Sequence, residues 1–463
     1  MGLEIALRGL RAQQQALNVT AHNVANASNP GYTRQEARLE ATSALSAPGM
    51  AGQIGTGVSV QQVVRMRDAF LDEQLRNEMS SFSRYNALYM GLSEIETFFS
   101  EPHEHGLRTV LTKFWNSFQD VANDPESDAF RRTAIQSGEA LADALRHARQ
   151  QLSGLYSSLA SKITERVSQV NQIAQQIADL NRQIASVAAA RGDQPNDLRD
   201  KRDVLIDTLS SLAKVSVTED ETGQVRVTIS QVALVSAHNA RQVEVTETAS
   251  GDFVFSIAGR ELLQGADIGA LGGEMGGMLE LRRTIRDVYI QDLDQLASHI
   301  ISSVNAAHRM GYGLGDAVHV ERDFFSGTDA ATIRVSADLV QNPSKLAASR
   351  TGLPGDGSGA LEIARLKELT LMRGGTVSID DFMLGMIGRL GVESQAAMRF
   401  RDNQTLLLNE IKAHKEMVQG VSLDEEMTNM VRFQHAYNAC ARLMTALDEM
   451  LDQLINRTGI AGR

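Results

Sequence analysis

The sequence predicts a mainly α protein, a long helical bundle and coiled coil built from both termini, with a small β domain inserted in the middle. Three observations carry this. Leu423, Met430, Phe433, Tyr437, Cys440, Met444, Leu447, Leu451 and Leu454 recur at steps of seven, three and four, the spacing of a coiled-coil seam. Leu3, Leu7, Leu10, Leu17, Ala21 and Val24 fall on a second seam of the same period, broken at Gln14. Between Val215 and Ile257 the apolar period changes from that of a helix to two.

The last helix has a start signal. Ser422 precedes the seam and Glu425 follows three positions on, so hydroxyl and carboxylate are spaced to satisfy each other's backbone donors in a capping box. Asn29-Pro30-Gly31 stops the first helix. A helix with one apolar stripe must lay it against something. Pairing the two ends buries one seam on the other but leaves Ile5, Val19, Met427, Val431 and Met450 for further partners. The expectation is a two-helix element that becomes fully ordered only among neighbouring copies.

At 463 residues the chain is long enough for two to four domains. Apolar residues make up 43% and aromatic ones only 5%, with one Trp and seven Pro, which suits long helices better than an aromatic-rich sandwich. The 57 acidic and 45 basic side chains leave a net charge of −12, and with no Lys/Arg cluster on view nucleic acid is excluded as a partner. Cys440 stands alone, so neither an intrachain disulfide nor a cysteine-rich zinc site is available. Glu4, Arg8 and Arg11 interrupt the first twenty residues, which argues against a cleaved signal peptide. No apolar run approaches the length of a membrane span, so membrane insertion is not expected.

In order along the chain, Asn29 to about Gly57 reads as an extended arm rich in Gly, Ser and Ala, and Val58 to Val64 as a short strand. Helical patterns follow from Asp68 to Phe99, Thr109 to Ala122, Ala129 to Ala190 and Leu198 to Leu212. Strands with hairpin signals at Glu221-Thr222-Gly223 and Ser250-Gly251-Asp252 occupy the next stretch. The glycine-rich segment from Gly259 to Gly277 returns the chain to helix at Met278 to Ala307. A strand at Thr332 to Val335, a flexible turn at Pro354 to Gly359 and helices at Ala360 to Leu371 and Ile379 to Val418 complete the reading. The expected division is a terminal assembly unit (1–60 with 419–463), a helical unit (61–212 with 269–418) and an inserted β unit (213–268).

No constellation argues for catalysis or a cofactor. His103-Glu104-His105 reaches one metal only from an extended loop, since positions two apart diverge on a helix. The glycines at 311, 313 and 315, and the pairs Gly272-Gly273 and Gly276-Gly277, lack the strand-to-helix setting and Lys-Ser/Thr of a phosphate loop and read as turns. Cys440 lies on the seam and reads as a structural thiol.

Two stretches are recognisable as they stand. Ala6-Leu7-Arg8-Gly9-Leu10, Gln14-Gln15-Ala16-Leu17-Asn18 and His22-Asn23-Val24-Ala25-Asn26-Ala27 to Asn29-Pro30-Gly31-Tyr32 closely resemble the N-terminal signature of bacterial flagellar rod, hook and hook-associated proteins. Gly420 to Met427, Arg432 to Tyr437 and Asp448-Glu449-Met450-Leu451 resemble the matching C-terminal signature. Tyr32-Thr33-Arg34-Gln35, the stretch Pro195 to Asp203 and the total length point to the hook-associated protein 1 family. Weaker similarity runs through Asp323-Phe324-Phe325 and from Ala337 to Ser344.

The resemblance implies a structural role at the hook-filament junction, with copies of the chain, the hook protein and a second junction protein as partners. It also implies an export chaperone on the C-terminal helix and an extracellular location reached without a cleaved signal. The assembly residues it singles out are Leu3, Leu7, Leu10, Leu17, Val24, Asn29, Pro30, Gly31 and Tyr32 at one end. At the other they are Leu423, Met430, Phe433, Tyr437, Met444, Leu447, Leu451 and Leu454. Many members carry a large outer domain where this chain runs directly from Phe325 to Thr332. The alternatives are a hook or distal-rod subunit, whose middle would be mostly β, and a cytoplasmic coiled-coil adaptor.

Overall fold

The structure, a computed structural model, describes residues 1–46, 53–99, 106–191, 194–220, 222–262 and 270–457. The chain is mainly helical, with one long helix at each end and its strands concentrated in short hairpins and a central region. Helix α1 (Gly2–Asn26) opens it and α11 (Leu423–Asp452) closes it. The segment expected as an extended arm is instead a hairpin: β1 (Gln35–Ala41) pairs antiparallel with β4 (Val58–Arg65), and β2 (Leu45–Ser46) with β3 (Gln53–Ile54). Alternating valines in β4 supply the partner strand that glycine and serine content concealed. A register shift after Arg38 bends the ladder.

Four helices follow: α2 (Ala69–Phe99), α3 (Leu107–Asn123), α4 (Asp128–Arg191) and α5 (Asn196–Leu212). Asp68 caps α2 by accepting from Phe70 N at 2.9 Å. The 64-residue α4 is the spine. Its Leu141, Leu145, Leu152, Ile163, Val170 and Ile177 are fully buried in one continuous core with Phe114, Trp115 and Phe118 of α3.

The central strands form two antiparallel sheets. One has the order β5 (Val215–Glu219), β6 (Val225–Ile229), β7 (Val232–Ser236), β8 (Asn239–Ala240). The other places β10 (Phe253–Ile257) between β9 (Val243–Glu247) and β11 (Arg260–Glu261). Two asparagines of α4 fasten them. Asn171 exchanges hydrogen bonds with Val243 N and O, and Asn181 does so with Val225 N and O. Buried Arg202 of α5 reaches the same place, donating to Asn181 Oδ1 at 3.1 Å and to Gly223 O at 2.6 Å.

The chain then re-enters helix at Gly273, earlier than Met278. It runs as α6 (Gly273–Thr284), a wider π-helical turn at Ile285–Ile290 and α7 (Gln291–Arg309). Gly276 and Gly277, expected in a turn, lie inside α6 because α2 crosses there. A Cβ at Gly277 would come within 2.4 Å of Arg84 O. The residues between Phe325 and Thr332 form the tight turn of a hairpin, β12 (Phe325–Ser326) with β13 (Arg334–Val335), held by Asp329 accepting from Ala331 N and Thr332 N. Short α8 (Ala337–Gln341) and α9 (Ser358–Arg365) follow, then β14 (Thr370–Met372) paired with β15 (Val377–Ser378). The turn before α9 is pinned rather than flexible: the Asp356 carboxylate accepts from Ser349 Oγ and from the backbone N of Arg350, Thr351 and Ser358.

Helix α10 (Ile379–Gln419), capped by Ser378 accepting from Asp381 N, returns antiparallel along α2. Leu75 packs with Leu408 and Ile411, and Tyr85 stacks on Phe400 with centroids 5.0 Å apart. His103-Glu104-His105 lies outside the described residues, among which no group of three or more His, Cys, Asp or Glu is placed to hold a metal ion. Among the same residues, no helix is long and apolar enough to cross a membrane.

Candidate functional site

The two terminal helices pack on each other antiparallel. Gly2 faces Leu447, Gly9 faces Cys440 and Asn23 faces Glu426, so each step forward on α1 is one step back on α11. On α11 the expected seam is the contacting one over most of its length: Met430, Phe433, Tyr437, Cys440, Met444 and Leu447 are half-buried, while Leu423, Leu451 and Leu454 at the two ends are exposed. On α1 it is displaced by one residue. The buried positions are Ala6, Gly9, Ala12, Ala16, Thr20 and Asn23. Leu7 is 37% exposed, and Leu3, Leu10, Leu17 and Val24 are half-buried beside that line.

Size decides which line is used. A Cβ added at Gly9 would lie 2.9 Å from Cys440 Sγ, so a side chain there would have to displace that sulfur. Small residues on α1 therefore accept the large ones of α11, and the leucines stay on a flank. The second line is present in the sequence: Gly2, Ala6, Gly9, Ala16, Thr20 and Asn23 repeat with the same steps as the leucine line, one residue earlier. Leu423, Met427, Val431, Leu443 and Met450 on α11 are exposed as well.

A polar node closes the pair at the end nearest the body. Asn23 is buried and its amide is fully used: Nδ2 donates to Gln35 O at 2.8 Å and to Glu426 Oε2 at 3.0 Å, while Oδ1 accepts from Gln35 N at 3.0 Å and from the Tyr32 hydroxyl at 2.7 Å. Glu426 is only 2% exposed and accepts from Arg34 Nε at 2.8 Å. Arg34 also pairs with Glu425 at 2.8 Å, so one half of the expected capping box is missing. Ser422 Oγ accepts from Glu425 N, but the Glu425 carboxylate has turned to the arginine. Burial pushes the Tyr32 phenol above its ordinary range, and Asp197, Asp200 and Glu426 add to the shift.

The residues after α1 tie the pair to the body. Asn29, Pro30 and Gly31 form an exposed turn in which Tyr32 N donates to Asn29 O, and Gly31 takes a φ of 84°. A Cβ on Gly31 would lie 2.4 Å from Val204 of α5, so glycine is required twice over. Thr33 N donates to Asp200 Oδ2 and Gln35 Nε2 to Asp197 Oδ1, both at 3.0 Å. Asn196 donates to Gln35 Oε1 and Val63 O. Beneath lies an ion network: Arg65 with Asp200 and Asp203, Arg67 with Asp203 and Asp72, Arg76 with Asp207, and Lys415 with Asp72 at 3.0 Å. Burial acts to raise the Asp72 carboxyl, but Arg67 and Lys415 outweigh it and hold it below its ordinary value. Burial lowers Arg67, with Asp72 opposing. Two stretches quoted only as recognisable strings, Tyr32 to Gln35 and Pro195 to Asp203, are thus the two faces of one joint. The pairing of Arg34 with Glu425 and Glu426, 391 and 392 residues apart, was not legible.

A close antiparallel pair made from α1 and α11, apolar on its outer flanks and locked to a helical body, is the geometry of a structural assembly protein. Residues 3–33 match the flagella basal body rod protein family and residues 418–457 the C-terminal region of the flagellar basal body rod FlgEFG proteins. Residues 92–325 match the flagellar hook-associated protein FlgK helical domain. Over its full length the chain is 35% identical to flagellar hook-associated protein 1 of Bacillus subtilis, covering 99% of that protein. It is 25% identical to the proteins of that name from Salmonella typhimurium and Escherichia coli, over 97% of this chain and 98% of each relative. The chain belongs to the flagellar hook-associated protein 1 family, a structural family of the extracellular flagellum. The solved structure of the flagellar hook junction protein FlgK from Burkholderia pseudomallei shares the fold at 17% identity, with a TM-score of 0.64 over 76% of this chain and all of that one.

Proposed function

We propose that the chain is the structural subunit of the hook-filament junction: a ring of copies continues the lattice at the hook tip, and the second junction protein and then the filament assemble on it. The observation that carries this is the one-sidedness of the terminal pair. The small-residue line of α1 is used by α11, while Leu3, Leu7, Leu10 and Leu17 beside it and Leu423, Met427, Val431, Leu443 and Met450 on α11 remain partly or largely uncovered. Stacked copies bury such flanks. On this reading residues 1–60 with 419–463 are the assembly unit, 61–212 with 269–418 the helical body and 213–268 the inserted β unit. No reaction is assigned to it.

The same flanks make a free chain prone to aggregate before it reaches the tip. We assign the C-terminal helix a flagellar export chaperone that receives it as a helix in a groove, and an export route through the flagellar apparatus without a cleaved signal. The hook protein is the neighbour below and the second junction protein the neighbour above. A hook or distal-rod subunit shares the end signatures, but the match of residues 92–325 to the FlgK helical domain favours the junction.

Deletion of Met1 to Asn29 tests the reading. Cells carrying the truncated chain should shed unpolymerised flagellin, and the full chain should be found at the boundary in sheared hook-filament preparations. Filaments that still form on the truncated chain, or a full chain absent from those preparations, refute it. A cytoplasmic adaptor would instead keep its partner in the cytosol.

A further inference from the structure

The repeat of small residues at Gly2, Gly9 and Ala16 does not by itself fix the register of the apolar seam between α1 and α11. Gly2, Gly9 and Ala16 stand seven residues apart, so a slide of one heptad, about 10.5 Å along the axis, can bring Gly2 opposite Cys440 with no Cβ to meet the sulfur, whereas the opposite slide brings Ala16, whose Cβ would stand where one at Gly9 lies 2.9 Å from Sγ. A stripe of this kind holds the helices close but not in place.

We propose that Asn23, Glu426 and Arg34 are the positioning residues that fix the register of the terminal pair. Asn23 is the member of the small-residue line whose side chain bonds across to α11, and its amide has no spare capacity. A slide of one heptad would take Asn23 away from Glu426 and from Gln35 at once. It would strand the Glu426 carboxylate, which is 2% exposed, against Arg34 with one oxygen unpaired, and empty the two edge bonds of β1 at Gln35. Arg34 anchors the key to the fixed part of the chain: its backbone N donates to Gln419 O at 2.9 Å, and the neighbouring Thr33 and Gln35 are bonded to Asp200 and Asp197. A polar residue at a seam position, costing some stability but admitting a single alignment, is the device that coiled coils use for the same purpose. Where copies stack through these helices, a slipped pair would present its leucine flank a heptad out of step. That consequence rests on the junction reading; the key itself does not.

Cys440, the lone cysteine, makes the register measurable within one molecule. The added Cβ at Gly9 lies 4.0 Å from Cys440 Cβ, inside the range a disulfide spans. Gly9→Cys, Gly2→Cys and Ala16→Cys are made separately in the full chain. Each is oxidised mildly at low concentration, and the intramolecular bridge is read by mobility and mass. In the parent background Gly9→Cys should close at least about tenfold faster than the other two, which sit roughly 10 Å away along the axis.

With Asn23→Leu and Glu426→Leu together, Gly2→Cys or Ala16→Cys should close at a rate comparable to Gly9→Cys while helix content by circular dichroism is kept. Asn23→Ala alone, which severs α1 from the key but leaves the Glu426-Arg34 pair, should shift the pattern the same way if the double variant misfolds. Exclusive closure at position 9 after the key is removed would show that the apolar seam sets the register. Equal closure at all three sites in the parent, or closure at none, would show that there is no register to fix. Either result overturns the proposal, and neither depends on whether the chain joins a flagellum.

Discussion

The closeness of the terminal helices predicts that the effect of Gly9→Ala reverses sign according to what stands at position 440. The new methyl would sit 2.9 Å from Cys440 Sγ, where ordinary contact is about 3.5–4.0 Å, so the sulfur or the whole helix must retreat by about half an ångström or more. Overpacking of that size costs about 1–3 kcal/mol. Against it, alanine is favoured over glycine inside a helix by about 1 kcal/mol. With the cysteine present the variant should therefore be neutral to about 2 kcal/mol destabilising. With Cys440→Ala the sulfur is gone and the nearest atom is the Cβ at 4.0 Å, an ordinary contact, so the propensity gain remains and Gly9→Ala should stabilise the pair by about 1 kcal/mol. Native-state hydrogen exchange of α1 amides in the parent, the two single variants and the double variant gives the cycle directly. A coupling below about 0.5 kcal/mol, with the two changes simply adding, would mean that Gly9 and Cys440 are not in contact and that the antiparallel register is wrong.

Four further outcomes follow from the body, the flank and the seam. Burial pushes the His308 imidazole down to about 4, with Nε2 accepting from Ala347 N and Nδ1 bonded to Arg322 O. Its neutral form is the folded one, so its contribution is whole above the unfolded value near 6.5 and is lost as pH falls from there toward 4, by up to about 3 kcal/mol. The urea midpoint should drop over that window and His308→Gln should flatten the drop. Arg202→Met leaves Asn181 Oδ1 without its guanidinium donor and Gly223 O without a partner, and should cost about 2–4 kcal/mol by chemical denaturation, whereas a loss under 1 kcal/mol would contradict the pinning of the sheet. Leu7→Ser should cost the isolated chain only about 1–2 kcal/mol, because the side chain is already partly in water, yet abolish attachment to the hook; Ala16→Leu should do the opposite first, prising the pair apart in the free chain.

Periodicity made the long elements legible because each buries one face along its whole length. Helix α4 shows its core positions at helical spacing for 64 residues, and β6 reads as buried and exposed in alternation. Periodicity shows two adjacent lines of equal period on α1, and period alone does not choose between them; residue size does. Leucine is the larger and was the natural choice for α1, but the contact distance at Gly9 leaves room only for the line without side chains to speak of. The hairpin of β1 and β4 was hidden for a related reason: its glycines and serines look like linker until the valines of β4 are given a partner. The joint was invisible because it is long-range. Arg65, Asp72, Asp200, Asp203 and Lys415 are ordinary polar residues in sequence, and only folding links their four segments through ion pairs of 2.7 to 3.5 Å.

The division of labour within α1 has an energetic reason. Alanine and glycine offer little apolar area, so the line facing α11 brings the helices close while gaining little from burial, whereas each leucine on the neighbouring line gains about 1.5–3 kcal/mol when fully covered. Part of the free energy α1 has to offer is thus left for further neighbours. The joint to the body is built the opposite way, from buried ion pairs whose desolvation cost makes them poor adhesives but whose geometry admits one arrangement. Arg34 can meet Glu426 and Glu425 together only where the turn at Gly31 rests on Val204 and Thr33 meets Asp200. A chain built so is held to an orientation before it is held to a neighbour, and the apolar flank it then presents is already aimed.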